Sequence, residues 1–503
     1  MSYKYESPVN SVEQNKLNEL KSKVFSSFFW SLLEKGGSQA IALIVQIVLA
    51  RLLAPSDFGM MAIMVVFINV GNTLVQSGLN TAIIQKKQLE ANDLSTAFWM
   101  SFAIAAALYI LFFFASPLIA EFYSTPSLVT PLRVLCLVFI TNSLYSIQVA
   151  LITRKFQFKK IFKATITAIT ISGASGITIS ALGGGIWGLV FQQLLYSIIS
   201  AIMITLQTKW LPCLSFRIKS AKELYGFGWK LLVSGIIDTI YDSASDLIVG
   251  KQFSIAQLGF FNQGKKYPQA LGTTLDATIQ PIMLSTVSRV QSSIEDAKGI
   301  VRRALKSASF VIMPTMIYAA IAAPSLISLL LGDQWLPAVP YFQAFCIIYA
   351  FLPIHSTNLQ AINALGRSDW FLKLEIIKKS YGLLVLLFTA FVIKDIGAIC
   401  IGLIATNIIS TFVNAYPNRR LLHYPYKEQL LDLLPIVFCT SMSAFAGAVA
   451  PIAFFPEAHP LFCAILQFLI MSGVFILLSC LFKVDTLQFM RDELERIKKS
   501  KSN

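Results

Sequence analysis

Leu49-Ala50-Arg51-Leu52-Leu53-Ala54-Pro55-Ser56-Asp57-Phe58-Gly59 stands where the first long apolar run of the chain gives way to the second. A close copy follows two hundred positions later (259 − 59 = 200): Val249-Gly250-Lys251-Gln252-Phe253-Ser254-Ile255-Ala256-Gln257-Leu258-Gly259. Each copy holds a small residue, then one cation, then a glycine eight positions beyond that cation. Upstream, Trp30-Ser31-Leu32-Leu33 is echoed by Trp229-Lys230-Leu231-Leu232. The chain reads as one unit used twice, with the turn between its first two helices marking each copy.

The composition around these turns is that of a membrane protein. Hydrophobic residues make up 55% and charged residues 13%, where soluble domains carry about 25% charged. Many apolar runs approach the roughly 20 residues that cross a bilayer as a helix. The net charge of +15 raises nucleic acid as a partner, but the cations cluster in short loops on one side of a membrane, so no nucleic acid is expected. The seven cysteines show no CxxC pair or metal spacing, and neither a disulfide framework nor a metal site is read from them. No cofactor is expected beyond H+ or Na+ as a coupling ion. About two dozen polar residues precede the first apolar run, which reads as a retained span rather than a secretory signal.

The fold class is an all-α membrane protein. Fourteen spans are predicted, at about 25–49, 58–84, 95–119, 131–153, 161–182, 185–208, 226–250, 256–286, 304–331, 338–362, 373–393, 396–416, 430–454 and 459–482. Lys16, Lys21, Lys86, Lys87, Arg154, Lys155, Lys219, Arg302, Arg303, Arg419 and Arg420 fall in one set of loops. The other set is nearly bare, with Arg51 and Lys251 among its few cations. The positive-inside rule then puts both termini in the cytoplasm. Residues 1–24 become a cytoplasmic segment, 25–215 an N-lobe of six spans, 216–428 a C-lobe of six, 429–482 two further spans and 483–503 a basic cytoplasmic tail. The repeat recurs late in each lobe: Gly188-Leu189-Val190 with Gln193 matches Gly402-Leu403-Ile404 with Asn407. A six-span repeat returns to its starting side, so the two six-helix lobes are parallel. Parallel halves point to a transporter with its site between them; the rival is a duplicated scaffold without transport.

Charge inside hydrocarbon costs about 2.5–3.5 kcal/mol per central residue on insertion scales, so each intramembrane polar group is a candidate. Lys35, Gln39 and Gln46 share a face of span one, beside Glu34. They read either as a cavity wall for an anionic or sugar-rich substrate or as a snorkelling lysine with its local partner. Asn69, Asn72 and Gln76 in span two suit sugar hydroxyls or ordinary interhelical glue. Asp238, Asp242 and Asp246 recur every fourth residue in span seven and share a helix face. They read as a coupling or gating site, or as an ion-pair cluster neutralised by Lys265 and Lys266. His355, two residues after Pro353, reads as structural or as a proton carrier. Pro268, Pro281, Pro314 and Pro324 suggest bendable helices. No phosphate-binding loop, GxSxG or HExxH motif occurs, and no catalytic set is read.

The Arg51 turn with Pro55-Ser56-Asp57-Phe58-Gly59, then Gln76-Ser77-Gly78-Leu79 and Ile84-Gln85-Lys86-Lys87, resembles the polysaccharide exporters of the multidrug/oligosaccharidyl-lipid/polysaccharide flippase superfamily, of the lipopolysaccharide biosynthesis and colanic-acid exporter type. Asp246-Leu247-Ile248-Val249-Gly250-Lys251, Leu258-Gly259-Phe260-Phe261-Asn262, Ser288-Arg289-Val290-Gln291 and Leu331-Gly332-Asp333-Gln334-Trp335 resemble it too. The resemblance implies two six-helix lobes around a central cavity plus two C-terminal helices. It also implies a transporter, not an enzyme, that flips an undecaprenyl-diphosphate-linked oligosaccharide from the cytoplasmic to the periplasmic leaflet of a bacterial inner membrane. Polysaccharide polymerase machinery would be a partner. Asp246 and Lys266 fall where that family often has an acid and a base.

Physical reasoning extends this. A dianionic diphosphate needs an escort through hydrocarbon, and Lys35, Lys265 and Lys266 can supply charge-assisted hydrogen bonds. Gln39, Gln46 and Asn72 suit the sugars, Glu34 and the three aspartates suit coupling or gating, and Arg51 and Lys251 suit the periplasmic mouth. The rivals are a multidrug cation antiporter on the same fold and, more remotely, a polysaccharide polymerase or ligase.

Overall fold

A lipid-facing backbone must satisfy its own N–H and C=O groups, and a helix does so within one segment. The computed structural model describes residue 30 and residues 36–76, 78–86, 88–291, 293–454 and 459–487. No strand occurs among them. The first helices are α1 (Gly36–Leu52), α2 (Pro55–Gln76), α3 (Leu79–Gln85) and α4 (Ala91–Phe122). Next come α5 (Val129–Leu135), α6 (Val138–Arg154), α7 (Phe158–Ala181), α8 (Ile186–Thr208), α9 (Ile218–Gln252) and α10 (Ile255–Arg289). Then follow α11 (Ile294–Ile321), α12 (Ala323–Leu331), α13 (Val339–Ala350), α14 (Leu352–Ala364) and α15 (Ser368–Phe388). The last are α16 (Ile396–Ala415), α17 (Asn418–Leu421), α18 (Tyr426–Phe454) and α19 (Pro460–Leu481).

Eleven helical stretches among the described residues are long and apolar enough to cross a membrane. Three of the fourteen predicted spans fall outside that set. The described part of span one is the shorter helix α1. Helices α9 and α10 have the length, 35 residues each, but carry Asp238, Asp242 and Asp246, and Lys265, Lys266 and Asp276, along their course.

Proline placement differs from expectation. Helix α10 runs unbroken through Pro268 and Pro281, and α11 through Pro314. The breaks come at Ala322 and Phe351, each two residues before a proline at the start of the next helix, Pro324 in α12 and Pro353 in α14. Proline fits the first helical turn, where its missing N–H is not needed. Within α4, Pro117 cannot donate to the carbonyl of Phe113. Arg133 Nε donates to that carbonyl at 3.1 Å and Ser116 Oγ at 2.9 Å, so it stays satisfied.

By contacts, the described residues of Met1–Leu53 and Ile63–Ser243 form one compact unit, and Ala54–Ala62 with those of Ala244–Asn503 form another. In the first, α7 packs on α8 through Gly188, where a β-carbon would lie 2.0 Å from Ser180 Oγ. Its counterpart Gly402 packs α16 on α15, where a β-carbon would meet Val385 and Thr389 at 3.0 and 3.1 Å. The repeat seen in sequence is thus a repeat of helix contacts.

The two marker turns meet inside the second unit. A β-carbon on Gly59 would lie 1.9 Å from the carbonyl oxygen of Ile255, and one on Gly259 would lie 1.9 Å from that of Pro55. Each glycine thus faces the first helical residue of the other copy. Both turns are capped alike: Asp57 Oδ2 accepts from the Ala54 N–H at 3.2 Å, and Gln257 Oε1 from the Ser254 N–H at 3.2 Å. This N3-to-N-cap bond satisfies an N–H that the helix start otherwise orphans, and at Ser254 the side chain accepts in return from the Gln257 N–H at 3.2 Å. Trp335, fully buried, packs edge-to-face against Phe58 at 5.2 Å and Phe260 at 5.8 Å. The Gly332-Asp333-Gln334-Trp335 motif therefore closes over the crossing.

Helices α11 and α18 are joined by charge. Arg302 donates to both oxygens of Asp432 at 2.6 Å, Lys298 pairs with Glu428 at 2.7 Å, and Lys306 pairs with Asp485 at 2.8 Å. Tyr424 Oη adds a hydrogen bond to Asp432 at 2.7 Å. Lys306 holds the Asp485 carboxyl below the usual carboxylate range. That contribution to stability is present above the ordinary aspartate pKa and is lost as pH falls through the lowered one.

Gly59→Ala and Gly259→Ala are each expected to lower the thermal midpoint of the purified protein, by about 1–3 kcal/mol or more, as overpacking against unyielding backbone does. Gly226→Ala, with nothing within 4 Å of its β-carbon, is expected to be neutral or stabilising by up to about 1 kcal/mol. Asp432→Ala is expected to cost about 1–3 kcal/mol, because it removes the two-oxygen partner of Arg302 and the acceptor of the buried Tyr424 hydroxyl. Thermal unfolding in detergent checks all four.

Candidate functional site

In the first unit the candidate polar residues join helices to one another. Gln46 on α1 donates through Nε2 to Gln192 Oε1 on α8 at 3.4 Å. Asn72 on α2 accepts at Oδ1 from Asn142 Nδ2 on α6 at 2.8 Å, and Ser197 Oγ on α8 donates to Asn142 Oδ1 at 3.0 Å. Thr141 Oγ1 closes the chain on Ser197. Thr73, one residue after Asn72, meets Thr239 of α9 at 3.1 Å. Gln39 is half-buried on α1. The amides of Gln46, Asn72 and Asn142 make interhelical bonds, as polar residues in bilayers commonly do. Glu34 and Lys35 lie outside the described residues. Arg51 is exposed in the last turn of α1, and Lys251 is exposed in the last turn of α9. Each cation sits favourably near the negative end of its helix dipole.

The three aspartates of α9 do not share one environment. Asp238 and Asp242 are exposed, whereas Asp246 is buried at 8% exposure. Lys265 of α10 pairs with Asp246 Oδ2 at 3.3 Å. The side chains keep only 17% and 11% of their accessible surface. Asp246 Oδ1 has no hydrogen-bond partner among the described residues. Lys266 is half-buried one residue on, and no acid lies within ion-pair distance of it among the described residues. Of the two lysines set against the aspartates in the sequence reading, only Lys265 makes the bond.

His355 is held by neutral groups of α16. Asn414 Nδ2 lies 2.9 Å from its Nδ1, and Asn407 Oδ1 lies 3.4 Å from its Nε2. The late repeat residue Asn407 thus finds a role in positioning this ring.

Sequence reasoning passed over two groups in the second unit. Helix α15 carries Lys373, Lys378 and Lys379 within its length, with Lys378 paired to Glu375; this charge run inside an apolar stretch was a visible signal. Asp276 of α10 is buried at 3% and is held by Ser356 and Gln280. A lone carboxylate in a 35-residue helix carries no pattern; its only signal was Gln280 at i+4. Among the described residues no group of three His, Cys, Asp or Glu is placed to hold a metal ion.

Asp246→Ala leaves the largely buried Lys265 without this carboxylate. It is expected to lower the thermal midpoint more than Asp238→Ala or Asp242→Ala, by about 2–4 kcal/mol against under about 1 kcal/mol. The double variant Asp246→Leu/Lys265→Met is expected to recover part of that loss. Unfolding of the four variants in detergent checks the coupling.

Comparison with known proteins gives this geometry a family. A sequence profile described as polysaccharide biosynthesis protein matches residues 48–340. The lipopolysaccharide biosynthesis protein WzxC of Escherichia coli (strain K12) is 20% identical over 421 residues, 82% of this chain and 85% of that protein. The succinoglycan biosynthesis transport protein ExoT of Rhizobium meliloti (strain 1021) is 20% identical over 340 residues, 67% of this chain and 68% of that one. Among solved structures, the lipid II flippase MurJ in an inward closed conformation superposes with a TM-score of 0.75 at 16% identity, covering 92% of this chain and 100% of that one. That likeness establishes a shared helical membrane fold. With more than half of its length matched by the profile, this multi-pass membrane protein belongs to the polysaccharide biosynthesis protein family.

Proposed function

We propose that the protein is a flippase. It carries an undecaprenyl-diphosphate-linked oligosaccharide repeat unit from the cytoplasmic to the periplasmic leaflet of the bacterial inner membrane, with both termini in the cytoplasm. The product feeds synthesis of lipopolysaccharide, capsule or exopolysaccharide by a polymerase on the far side. What carries the reading is that a chain of the polysaccharide biosynthesis family has the fold of a lipid II flippase over 92% of its length.

The local chemistry supports it. A diphosphate brings two negative charges into a low-dielectric region, where unpaired charge is costly. Lys266 offers an ammonium that no described acid occupies, and Lys265 can exchange Asp246 for phosphate. Lysine meets a phosphate as a point charge with rotatable donors, which suits a ligand that must be released. Lys35 is placed by the same reasoning as a third cation. Gln39, Gln46 and Asn72 supply amide hydrogen bonds to sugar hydroxyls, at the expense of the interhelical bonds that Gln46 and Asn72 make in this state. Glu34, Asp238, Asp242 and Asp246 link the cycle to a proton or sodium gradient, and Arg51 and Lys251 border the periplasmic exit. Two-state motion follows if phosphate and Asp246 compete for Lys265, since a ligand shifts an equilibrium only by its differential affinity for the two states.

Deleting the gene in its bacterium is expected to leave lipid-linked repeat units on the cytoplasmic face and to abolish the surface polymer. Normal polymer would overturn the reading, and resistance to cationic drugs on overexpression would favour a multidrug antiporter. Lys35→Ala, Lys265→Ala and Lys266→Ala, at equal protein level, are each expected to reduce polymer export by about tenfold, the worth of one charge-assisted hydrogen bond. Wild-type export by all three would remove the diphosphate role. The topology is checked by thiol labelling: a cysteine beside Lys251 is expected to react with an impermeant reagent from outside, and one beside Lys155 to be protected.

A further inference from the structure

We propose that Asp276 is a proton-binding site, its carboxyl protonated in the conformation described and its proton shared with Ser356 in a polar ladder between α10 and α14. Asp276 and Gln280 stand at i, i+4 on α10, and Ser356 and Gln360 stand at i, i+4 on α14. Residues at this spacing share one helix face. Ser356 Oγ and Gln280 Nε2 both contact the Asp276 carboxyl, and Gln360 Nε2 donates to Gln280 Oε1 at 3.2 Å. Asp276 is 3% exposed and Ser356 6%.

A count of protons favours the neutral acid. A serine hydroxyl has one proton to give. Ser356 Oγ sits 3.0 Å from the Leu352 carbonyl as well as against the carboxyl. With Asp276 ionised, one of those two acceptors goes without the serine proton. With Asp276 protonated, its O–H donates to Ser356 Oγ, and the serine donates onward to Leu352.

The charges on neighbouring elements have other partners or lie elsewhere. Helix α10 packs on α11, α13, α14 and the 3-10 turn Asp333–Ala338. On α10 itself Lys265 pairs with Asp246; Lys266 and Tyr267 lie more than two turns before Asp276, and Arg289 more than three turns after it. On α11, Lys298, Arg302 and Lys306 are tied to Glu428, Asp432 and Asp485, Arg303 bonds back to the Gly299 carbonyl, and Tyr318 donates to the Met471 carbonyl. On α13, Tyr341 packs edge-to-face against Phe261, and Tyr349 packs against Gly272, one turn before Asp276. On α14, His355 turns to Asn407 and Asn414 of α16, and Asp333 of the 3-10 turn bonds Ser328. No cation lies within ion-pair distance of Asp276 among the described residues. A buried carboxylate without a counter-charge is costly, and proton uptake removes that cost.

The ligand is a proton rather than a metal cation. Hard cations take about six oxygen ligands. Here the carboxyl and one hydroxyl are the oxygens at hand, since Gln280 presents its nitrogen to Asp276 and its oxygen to Gln360. Release of the proton would leave a charge that draws in water or pulls α10 from α14. As α10 also bears Lys265 and Lys266, this couples the proton to the proposed lipid-diphosphate cycle; that coupling rests on the flippase reading, whereas the protonated carboxyl does not.

Two measurements on the full-length protein test the two parts separately. Infrared spectroscopy of the purified protein in nanodiscs at neutral pH is expected to show the C=O band of a buried protonated carboxylic acid. The band is expected to be lost in Asp276→Asn and displaced in Ser356→Ala. Asp276→Asn, near-isosteric with the neutral acid, is expected to keep the wild-type thermal midpoint. Absence of the band in wild type, or its persistence in Asp276→Asn, overturns the proton site. In proteoliposomes, an imposed pH gradient is expected to accelerate wild-type flipping several-fold more than it accelerates Asp276→Asn, while a sodium gradient acts equally on both. Equal pH-gradient stimulation of the variant and wild type overturns the coupling. No flipping by wild type with the band present would sink the flippase reading and leave the proton site standing.

Discussion

Two backbone carbonyls, those of Ile255 and Pro55, stand where a β-carbon on Gly59 or Gly259 would have to go. This reciprocal exclusion is the constraint on which the second unit rests. It brings the first turns of α2 and α10 into backbone contact, and residues Ala54–Ala62 of the first sequence repeat consequently belong to the second compact unit. The surrounding features follow from it. The carboxylate of Asp57 and the amide of Gln257 satisfy backbone N–H groups that the two helix starts leave without an intrahelical partner. Phe58, Phe260 and Trp335 fill the remaining space with edge-to-face aromatic contacts.

Much of the architecture was legible because bilayers permit few solutions. Apolar runs near twenty residues and a regular alternation of loop charge report spans directly, and the spacing of two hundred residues reports duplication. The duplication holds at the level of contacts, with Gly188 and Gly402 each seating a helix on its predecessor. Local breaks were harder to read. Prolines in α10 and α11 looked like hinges, yet the helices pass through three of them and break ahead of Pro324 and Pro353. Whether a proline bends a helix depends on whether a neighbour satisfies the carbonyl it frees, as Arg133 does beside Pro117. Such a neighbour is remote in sequence.

The site was legible only in part, for a related reason. The four-residue spacing of Asp238, Asp242 and Asp246 places them on one face of α9, but a shared face is not a shared environment. Asp246 is buried and pairs with Lys265, whereas Asp238 and Asp242 are exposed. Asp276 went unread because its partner Ser356 lies 80 residues away. Asn72, which suits sugar hydroxyls or interhelical glue, and Gln46, read as part of a cavity wall, both make interhelical bonds in this state.

The picture is of a duplicated helical membrane protein of a polysaccharide biosynthesis family. Its interior keeps a few cations and carboxylates where insertion alone would select against them. Lys266 has no acid within ion-pair distance among the described residues, and the proposed diphosphate role rests on it most directly. The most direct measurement is leaflet transfer of an undecaprenyl-diphosphate-linked repeat unit in proteoliposomes holding the purified protein, scored by its protection from an added glycosidase. Transfer well above that of empty vesicles, reduced about tenfold by Lys266→Ala, is the expected result. Transfer no faster than in empty vesicles, by protein that retains its native thermal midpoint, would contradict a flippase.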